Sequence, residues 1–417
     1  MTNTSRQRPR VVVLGAGFAG VQAVKQLKNE PVDITLVDQN GFNTFQPLLY
    51  QVATGGLNPG DVTYALRALT AHQSNAHFRK GEAADLDADN RVLTLADGTR
   101  LDYDYLIVAT GVTTNYFGVP GAEEHGLALY TRDQALHVRD NLFNKLEGLA
   151  QATADGQRCE DPTVVIVGGG ATGVEMAGSL AEMGNTAMPI AFPELKDRKA
   201  RVVLVEMGPH VLAPYHPDLR EYTARSLESR GVELRLNTAV SAVKEDGVEL
   251  DNGDQIRAGT VIWATGVKAP DTIQKWGLPQ GRGGRIEVSA DLSVADHPEI
   301  FVAGDLAVDP DNPLPQLAQP AMQGGKHAAR QIVRKLAGEP TEPFRYVDKG
   351  TMATIARGSA IAQLRGNIRL RGTVAWLAWL GLHIYFLLGG RNRVVTLLNL
   401  SARYLTWPRS LNVIVGD

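Results

Sequence analysis

Apolar positions in this 417-residue chain gather into short strand-like runs that end on glycine or on an acid. Val11 to Gly20 reads VVVLGAGFAG, a β-branched run that passes into a GxGxxG spacing at Gly15, Gly17 and Gly20. A helical pattern over Val21 to Leu27 follows, and a second strand pattern, ITLVD, closes on Asp38. The same order returns at Thr163 to Gly173, TVVIVGGGATG, with glycines at 168, 170 and 173, and the later strand pattern ARVVLVE closes on Glu206. Each unit is followed by an apolar strand ending in ATG, at Thr110 and Gly111 and again at Thr265 and Gly266. A further strand, EIFVAGDLA, carries Gly304 and Asp305. Near the C-terminus, Thr373 to Gly390 is uncharged, with Arg369 and Arg371 before it and Arg391 and Arg393 after it.

Strand, glycine turn, helix, strand and terminal acid are the parts of a dinucleotide site. The glycines allow a tight turn and close approach of a pyrophosphate, which then sits on the helix N-terminus. Asp38 lies 23 positions after Gly15, where a carboxylate accepts hydrogen bonds from an adenosine ribose. Glu206 follows Gly168 by 38 positions, so an insertion must fit around GNTAMPIAFPELKDRKA, read here as an extended helix end plus loop. No arginine follows Glu206 directly, so a 2′-phosphate would meet a carboxylate and no cation, and NADH is preferred over NADPH. Two such units imply two dinucleotides on one chain, and the ATG strands with Gly304 and Asp305, placed for a ribityl chain, point to a flavin beside a nicotinamide.

The expected fold is α/β: two Rossmann-like dinucleotide-binding domains and a C-terminal membrane-docking region of short strands and amphipathic helices. The expected boundaries are 1–114 with 280–340 for the first dinucleotide-binding domain, 115–279 for the second, and 341–417 for the C-terminal region.

Composition changes this picture little. Hydrophobic content of 44% and a formal charge of −3 are ordinary for a globular chain and give no reason to expect nucleic acid. The distribution is uneven: from Thr341 onward ten Lys or Arg stand against three acids, and basic residues beside apolar helices favour anionic lipid. The single cysteine, Cys159, excludes an intrachain disulfide, a CxxC pair and a multi-cysteine metal site, and no metal is expected. The basic start MTNTSRQRPR has no apolar h-region, so a secretory signal is not expected and the cytoplasm is the default.

The chain resembles the two-dinucleotide-binding-domain flavoprotein reductases, and more closely the type II NADH dehydrogenases, single-subunit NADH:quinone oxidoreductases. The resemblance covers essentially the whole chain. It rests on FQPLLYQVATGGLNP (Phe45 to Pro59), GGGATGVEMAGSL (Gly168 to Leu180), AQPAMQGG (Ala318 to Gly325), DKGTMATIARGSAIA (Asp348 to Ala362) and the tryptophan-rich tail. It implies FAD on the first unit, with Pro47 and Ala321 joining the glycines, Asp38, Thr110, Gly111, Gly304 and Asp305. It implies NADH on the second, at Gly168, Gly170, Gly173, Glu206, Thr265 and Gly266. It further implies reduction of a membrane quinone, ubiquinone or menaquinone, in a respiratory chain without proton pumping. Relatives that work through thiols carry flavin-side cysteines; TFQPLLYQVATGG has none, so electrons are expected to pass directly to a diffusible acceptor.

Four residues are candidates for catalysis. Gln319 and Gln323 lie four apart on a helix expected to have Pro320 at its first position, and so share a face. Its N-terminus, pointed at the flavin, would stabilise the reduced form. On pattern alone the glutamines are an ordinary polar first turn; the resemblance puts them at the quinone end of the flavin. Glu175 alone reads as an acid favoured by the helix dipole, and the resemblance puts it near flavin and nicotinamide. His383 is the one group in the uncharged run whose ordinary titration falls near neutral pH, read equally as a proton relay or as a residue capping an interface.

The uncharged run is just long enough to span about 30 Å of hydrocarbon. Its glycines and His383 argue against a span, and Trp376, Trp379 and Trp407 suit an interface. With the following pattern VVTLLNLSARYLTW it is expected to form a helical hairpin lying in the headgroups on the cytoplasmic face, peripheral and without a transmembrane span. A homodimer through this region is a further expectation. Two alternatives stay open: a soluble NADH-dependent ferredoxin or rubredoxin reductase, which needs no apolar tail, and a flavoprotein redox sensor.

Overall fold

The computed structural model describes residues 8–406. Trp407 and Arg409, and the basic segment up to Gln7, lie outside the described residues. By packing, the chain forms two compact units: residues 8–43, 64–113 and 267–348 make one, and 44–63, 114–266 and 349–406 the other. The C-terminal region thus packs as part of the second unit, which also takes the FQPLLYQVATGGLNP motif.

In the first unit, β1 (Arg10–Leu14) leads through the glycine turn into α1 (Phe18–Gln26) and β2 (Asp33–Asp38). The helix starts three residues earlier than the apolar periodicity alone indicates, because Gly17 already adopts the extended cap conformation. A six-stranded sheet runs in the order Ser293–Val294, His297–Val302, Tyr105–Val108, β1, β2, Ala76–Lys80. A strand covered on both faces has no polar side to present, hence the unbroken valines of β1. Val11 and Val13 enter one buried cluster with α1, and Val12 and Leu14 enter the other.

The second unit repeats the plan. A five-stranded parallel sheet has the order Leu127–Ala128, Thr260–Trp263, Thr163–Val167, Arg201–Val205, Val232–Arg235. Here β3 (Thr163–Val167) leads into α2 (Ala171–Glu182) and then β4 (Arg201–Val205), with β5 (Thr260–Trp263) on the other flank of β3. The insertion expected between α2 and β4 begins as a continuation of the helix, through a π-turn at Met183–Ala187 into a further turn at Met188–Ala191.

Helix α3 (Ala318–Leu336), in the first unit, packs so tightly on α1 that a side chain at Gly325 would overlap the Ala19 carbonyl. Leu317 is its extended cap, so Pro320 is the third helical residue and not the first; its missing N–H is still one of the free ones of the first turn.

The C-terminal part of the second unit is an antiparallel sheet of β6 (Gly350–Ala356), β7 (Ser359–Leu364) and Ile368–Arg371, followed by α4 (Gly372–Phe386) and α5 (Gly390–Thr406). The two helices are separated by Leu387 to Gly389, the last with φ 79°. Among the described residues, no helix is long and apolar enough to cross a membrane. Polar residues spaced along α5 fix it to the 58–63 loop of the same unit: Asn392 donates to the Thr63 carbonyl, Thr396 to the Asp61 carbonyl, and Asn399 to the Asp61 carboxylate.

One expectation is overturned in this region. Trp379 is 1% exposed, stacked on the His383 ring and tilted against Tyr50, so it serves the core and cannot sit at a water–lipid boundary. Trp376 packs edge-on against Tyr404 between the two helices. Arg369 is likewise committed, donating to Asp218 and lying against His216.

Gly178 of α2 abuts β6 so closely that a Cβ there would overlap the Ile355 carbonyl oxygen. Alanine gains under 1 kcal/mol of helix propensity over glycine, less than a backbone overlap costs. Gly178→Ala is expected to cost about 3 kcal/mol, read as a lower melting temperature. Gly148→Ala, in open space on an outer helix, is expected to hold or raise it.

Candidate functional site: two glycine turns and a buried carboxylate

The two glycine turns are built alike. Gly15 has φ 95° and Gly168 φ 112°, and each donates its N–H across to the neighbouring strand, to Val37 O at 2.7 Å and Val205 O at 2.8 Å. A side chain at Gly20 would overlap the Gly15 carbonyl, and one at Gly173 the Gly168 carbonyl. The protein's own packing therefore demands glycine at these positions. It does not demand it at Gly17 or Gly170, the cap residues of α1 and α2, where φ is −73° and −71° and a Cβ would meet nothing within 4 Å. Open space against the first free N–H groups of a helix fits a pyrophosphate.

The terminal acids hold the turns in place. Asp38 accepts from the N–H of Ala16 (2.8 Å) and Asn40 (2.7 Å); Glu206 accepts from Gly169 (2.6 Å) and Gly208 (2.7 Å). Burial raises the Asp38 pKa above the usual carboxylate value, and those two N–H bonds work against the rise. Each carboxylate oxygen keeps a second lone pair for a ribose hydroxyl. Around the first turn, the Thr110 hydroxyl is buried without a partner among the described residues, and Gly111 and Gly304 take φ 71° and 85°. Gly304 faces Ala19 and Ala321 at ordinary contact distance, which brings the α3 N-terminus to the same turn. The Asp305 carbonyl accepts from Arg285 Nε and Gln316 Nε2. Around the second turn, Thr265 and Gly266 follow β5 immediately, and Gly168 has no room for a side chain against Thr265.

Glu175 is buried in the second helical turn of α2, and among the described residues its hydrogen bond is from the Thr354 N–H of β6 (3.2 Å). Burial pushes its pKa up to about 8, with the Thr354 bond pulling the other way. Tyr215 is raised as well, first by burial, and its hydroxyl pairs with Thr351 (2.9 Å). A small cavity beside Glu175 is lined by Tyr50, Gln51, Ser179, Glu182 and Tyr404, and the Gln51 amide oxygen is buried there without a partner. His383 donates from Nδ1 to the Trp379 carbonyl (2.7 Å), and burial brings its pKa down to about 4. The ring is therefore neutral near pH 7, an acceptor at Nε2 and not a proton donor.

The family pattern described as pyridine nucleotide-disulphide oxidoreductase matches residues 9–325. The type II NADH:quinone oxidoreductase Ndh of Mycobacterium tuberculosis is 35% identical over 97% of this chain and 89% of its own length, and NdhA of the same organism is 39% identical over 94% and 86%. The chain belongs to the type II NADH:quinone oxidoreductases. Among solved structures, NDH2 of Plasmodium falciparum in complex with NADH superposes with a TM-score of 0.87 over 97% of this chain and all of that one, at 19% identity. The sulfide:quinone oxidoreductase of Aquifex aeolicus gives 0.74 at 20% identity, covering 96% of each chain. At such identities both speak for the fold alone.

Within this type II NADH:quinone oxidoreductase, the first unit gathers Gly15, Gly17, Gly20, Asp38, Thr110, Gly111, Gly304, Asp305 and Ala321 at one turn. The second gathers Gly168, Gly170, Gly173, Glu206, Thr265 and Gly266, and also contains Glu175, His383 and Pro47, the last in a 3₁₀ turn. Gln319 is the second residue of α3. Gln323 is engaged at both ends of its amide, donating to the Val347 carbonyl and accepting from the Val347 N–H, so it straps the following segment to α3. Residue patterns did not reveal Thr354 and Tyr215 beside Glu175: the motif that contains Thr354 does not tell which residue it meets, and APYH carries no motif of its own.

Because the folded state holds Glu175 protonated above its unfolded pKa, the protein loses stability as pH rises from about 4.5 to about 8. Glu175→Gln is expected to remove that loss. Its unfolding free energy relative to wild type should climb across this window by at most about 1.4 kcal/mol per pH unit and level off above it, read as a growing and then constant difference in melting temperature.

Proposed function

We propose that this chain is a non-pumping, single-subunit NADH:quinone oxidoreductase, with FAD on the first glycine turn, NADH on the second, and a membrane quinone as acceptor. The observation that carries the reading is the pair of turns whose cap glycines, Gly17 and Gly170, are open where the protein itself has no need of glycine. The relatives' names favour the quinone, and with one cysteine, Cys159, there is no dithiol to take the electrons instead.

FAD, when bound, supplies the two-electron carrier that accepts hydride from NADH and passes electrons on. The chain's residues bind and orient. The α1 N-terminus and Asp38 hold one dinucleotide by pyrophosphate and ribose, with the Thr110 hydroxyl free to reach it. The α2 N-terminus and Glu206 hold the other, and the Glu206 carboxylate repels a 2′-phosphate. Glu175 is neutral at pH 7 and holds a proton on Oε2, the carboxyl oxygen that Thr354 does not engage. Gln319, whose amide is not tied as that of Gln323 is, offers a hydrogen bond to a quinone carbonyl.

Membrane docking at the cytoplasmic face rests on the helical hairpin. Val374, Leu377, Tyr385, Val394 and Leu398 are exposed large apolar side chains on α4 and α5, with Arg391 exposed at the start of α5. α4 is apolar all round, and such a helix with large side chains exposed beside a cation suits a place in the headgroup boundary. A soluble ferredoxin reductase gains nothing from such a surface.

The test of the reaction is a two-step titration: NADH bleaches the flavin absorbance, and a short-chain quinone restores it. Gln319→Leu is expected to leave the bleaching rate within about twofold and slow the recovery at least tenfold, the loss of one hydrogen bond to a reacting oxygen. Equal loss of both steps would remove Gln319 from the quinone site.

Docking is tested without deletion, because removing the tail would take the buried Trp379 with it. Leu377→Glu with Leu398→Glu is expected to keep the melting temperature and abolish flotation with anionic liposomes. Undiminished flotation would show that the hairpin is not the docking face.

A further inference from the structure

Tyr116 and Phe117 are adjacent aromatics with opposite fates. Tyr116 tilts against Trp263 at 5.7 Å and joins the core, whereas Phe117 is 61% exposed. Phe117 also holds a left-handed backbone, φ 54°, unusual for a bulky residue. Neighbouring bonds enforce that conformation. Asn115 accepts the Phe117 N–H on its side-chain oxygen (2.8 Å), accepts Trp263 Nε1 on its carbonyl (3.0 Å), and donates its own N–H to the Gly266 carbonyl (3.1 Å). The ring edge of Phe117 fills the space where a side chain of Gly266 would be. An aromatic ring is thus clamped, in strain and in water, over the ATG turn.

Its place relative to the second glycine turn follows from strand register. Trp263, Val167 and Val205 are side by side at the C-terminal edge of the sheet, on β5, β3 and β4. These strands lie about 4.8 Å apart; Gly168 and Glu206 follow Val167 and Val205 directly, and Gly266 follows Trp263 three positions on. A dinucleotide is two nucleosides joined at a pyrophosphate. With adenosine at Glu206 beyond β4 and the pyrophosphate on the turn after β3, the other nucleoside lies toward β5, where Phe117 stands.

We propose that Phe117 contacts the nicotinamide nucleoside of NADH, giving that half of the substrate an apolar face to pack on and fixing its position over the Gly266 turn. This rests on the assignment of NADH to the second unit. Backbone strain retained under an exposed ring is typical of a ligand-clamping position, where the ring recovers its packing only when the ligand is present.

The test uses the full-length protein with its flavin bound, a short-chain quinone as acceptor, and ADP as competitor, since ADP has the adenosine and pyrophosphate but no nicotinamide nucleoside. For Phe117→Ala the KM for NADH is expected to rise about tenfold, the value of one aromatic contact, with the ADP inhibition constant within about twofold of wild type. Phe117→Gly should give the same kinetics, with a melting temperature that holds or rises as the strain is released. An unchanged KM overturns the proposal. An equal loss for NADH and ADP also overturns it, because Phe117 would then act by shaping the turn, as would a fall in melting temperature for Phe117→Gly. If ADP fails to compete with NADH on the wild-type protein, the second unit is not the NADH site, and the proposal falls with that assignment.

Discussion

Each nucleotide turn depends on a carboxylate that the turn itself does not contain. Asp38 and Glu206 stand at the ends of the strands beside β1 and β3, and each takes the N–H of the residue after the first glycine of its loop. That bond ties turn to neighbouring strand and orients the carboxylate from both sides. The helix that starts at the third glycine-loop position then points its free N–H groups at the same place. Remove the acid and the loop loses its lateral tether, and the helix end no longer faces a fixed point.

The repeat also separates the glycines that the fold requires from those it does not. Gly15, Gly20, Gly168 and Gly173 are forced by carbonyls or side chains of their own units or by positive φ. Gly17 and Gly170 are forced by neither. A spacing rule treats all six alike, and only the three-dimensional surroundings separate the two causes.

Features that depend on adjacent residues were legible in the sequence. The apolar strands, the glycine turns and the acids at strand ends need only local chain, and they came out at their observed places. The spacing of 38 residues before Glu206 did no harm, because the insertion continues the helix and returns before the strand begins. Features set by distant chain were not legible. The environment of Glu175 is supplied by Thr354, 179 positions away. The burial of Trp379 comes from Tyr50, and the double hydrogen bond of Gln323 from the Val347 segment. An amphipathic or aromatic pattern says that a residue will be covered or wet, and the partner that decides it lies elsewhere in the chain.

The three polar anchors of α5, Asn392, Thr396 and Asn399, have a thermodynamic meaning for the helical hairpin. Many surface-seeking helices are random in water and must order as they adsorb, so part of the adsorption free energy is spent on folding. Here α5 is already held in order by bonds to the 58–63 loop of its own unit. On the proposed docking of this hairpin, adsorption would draw on apolar area and charge without a further cost of ordering.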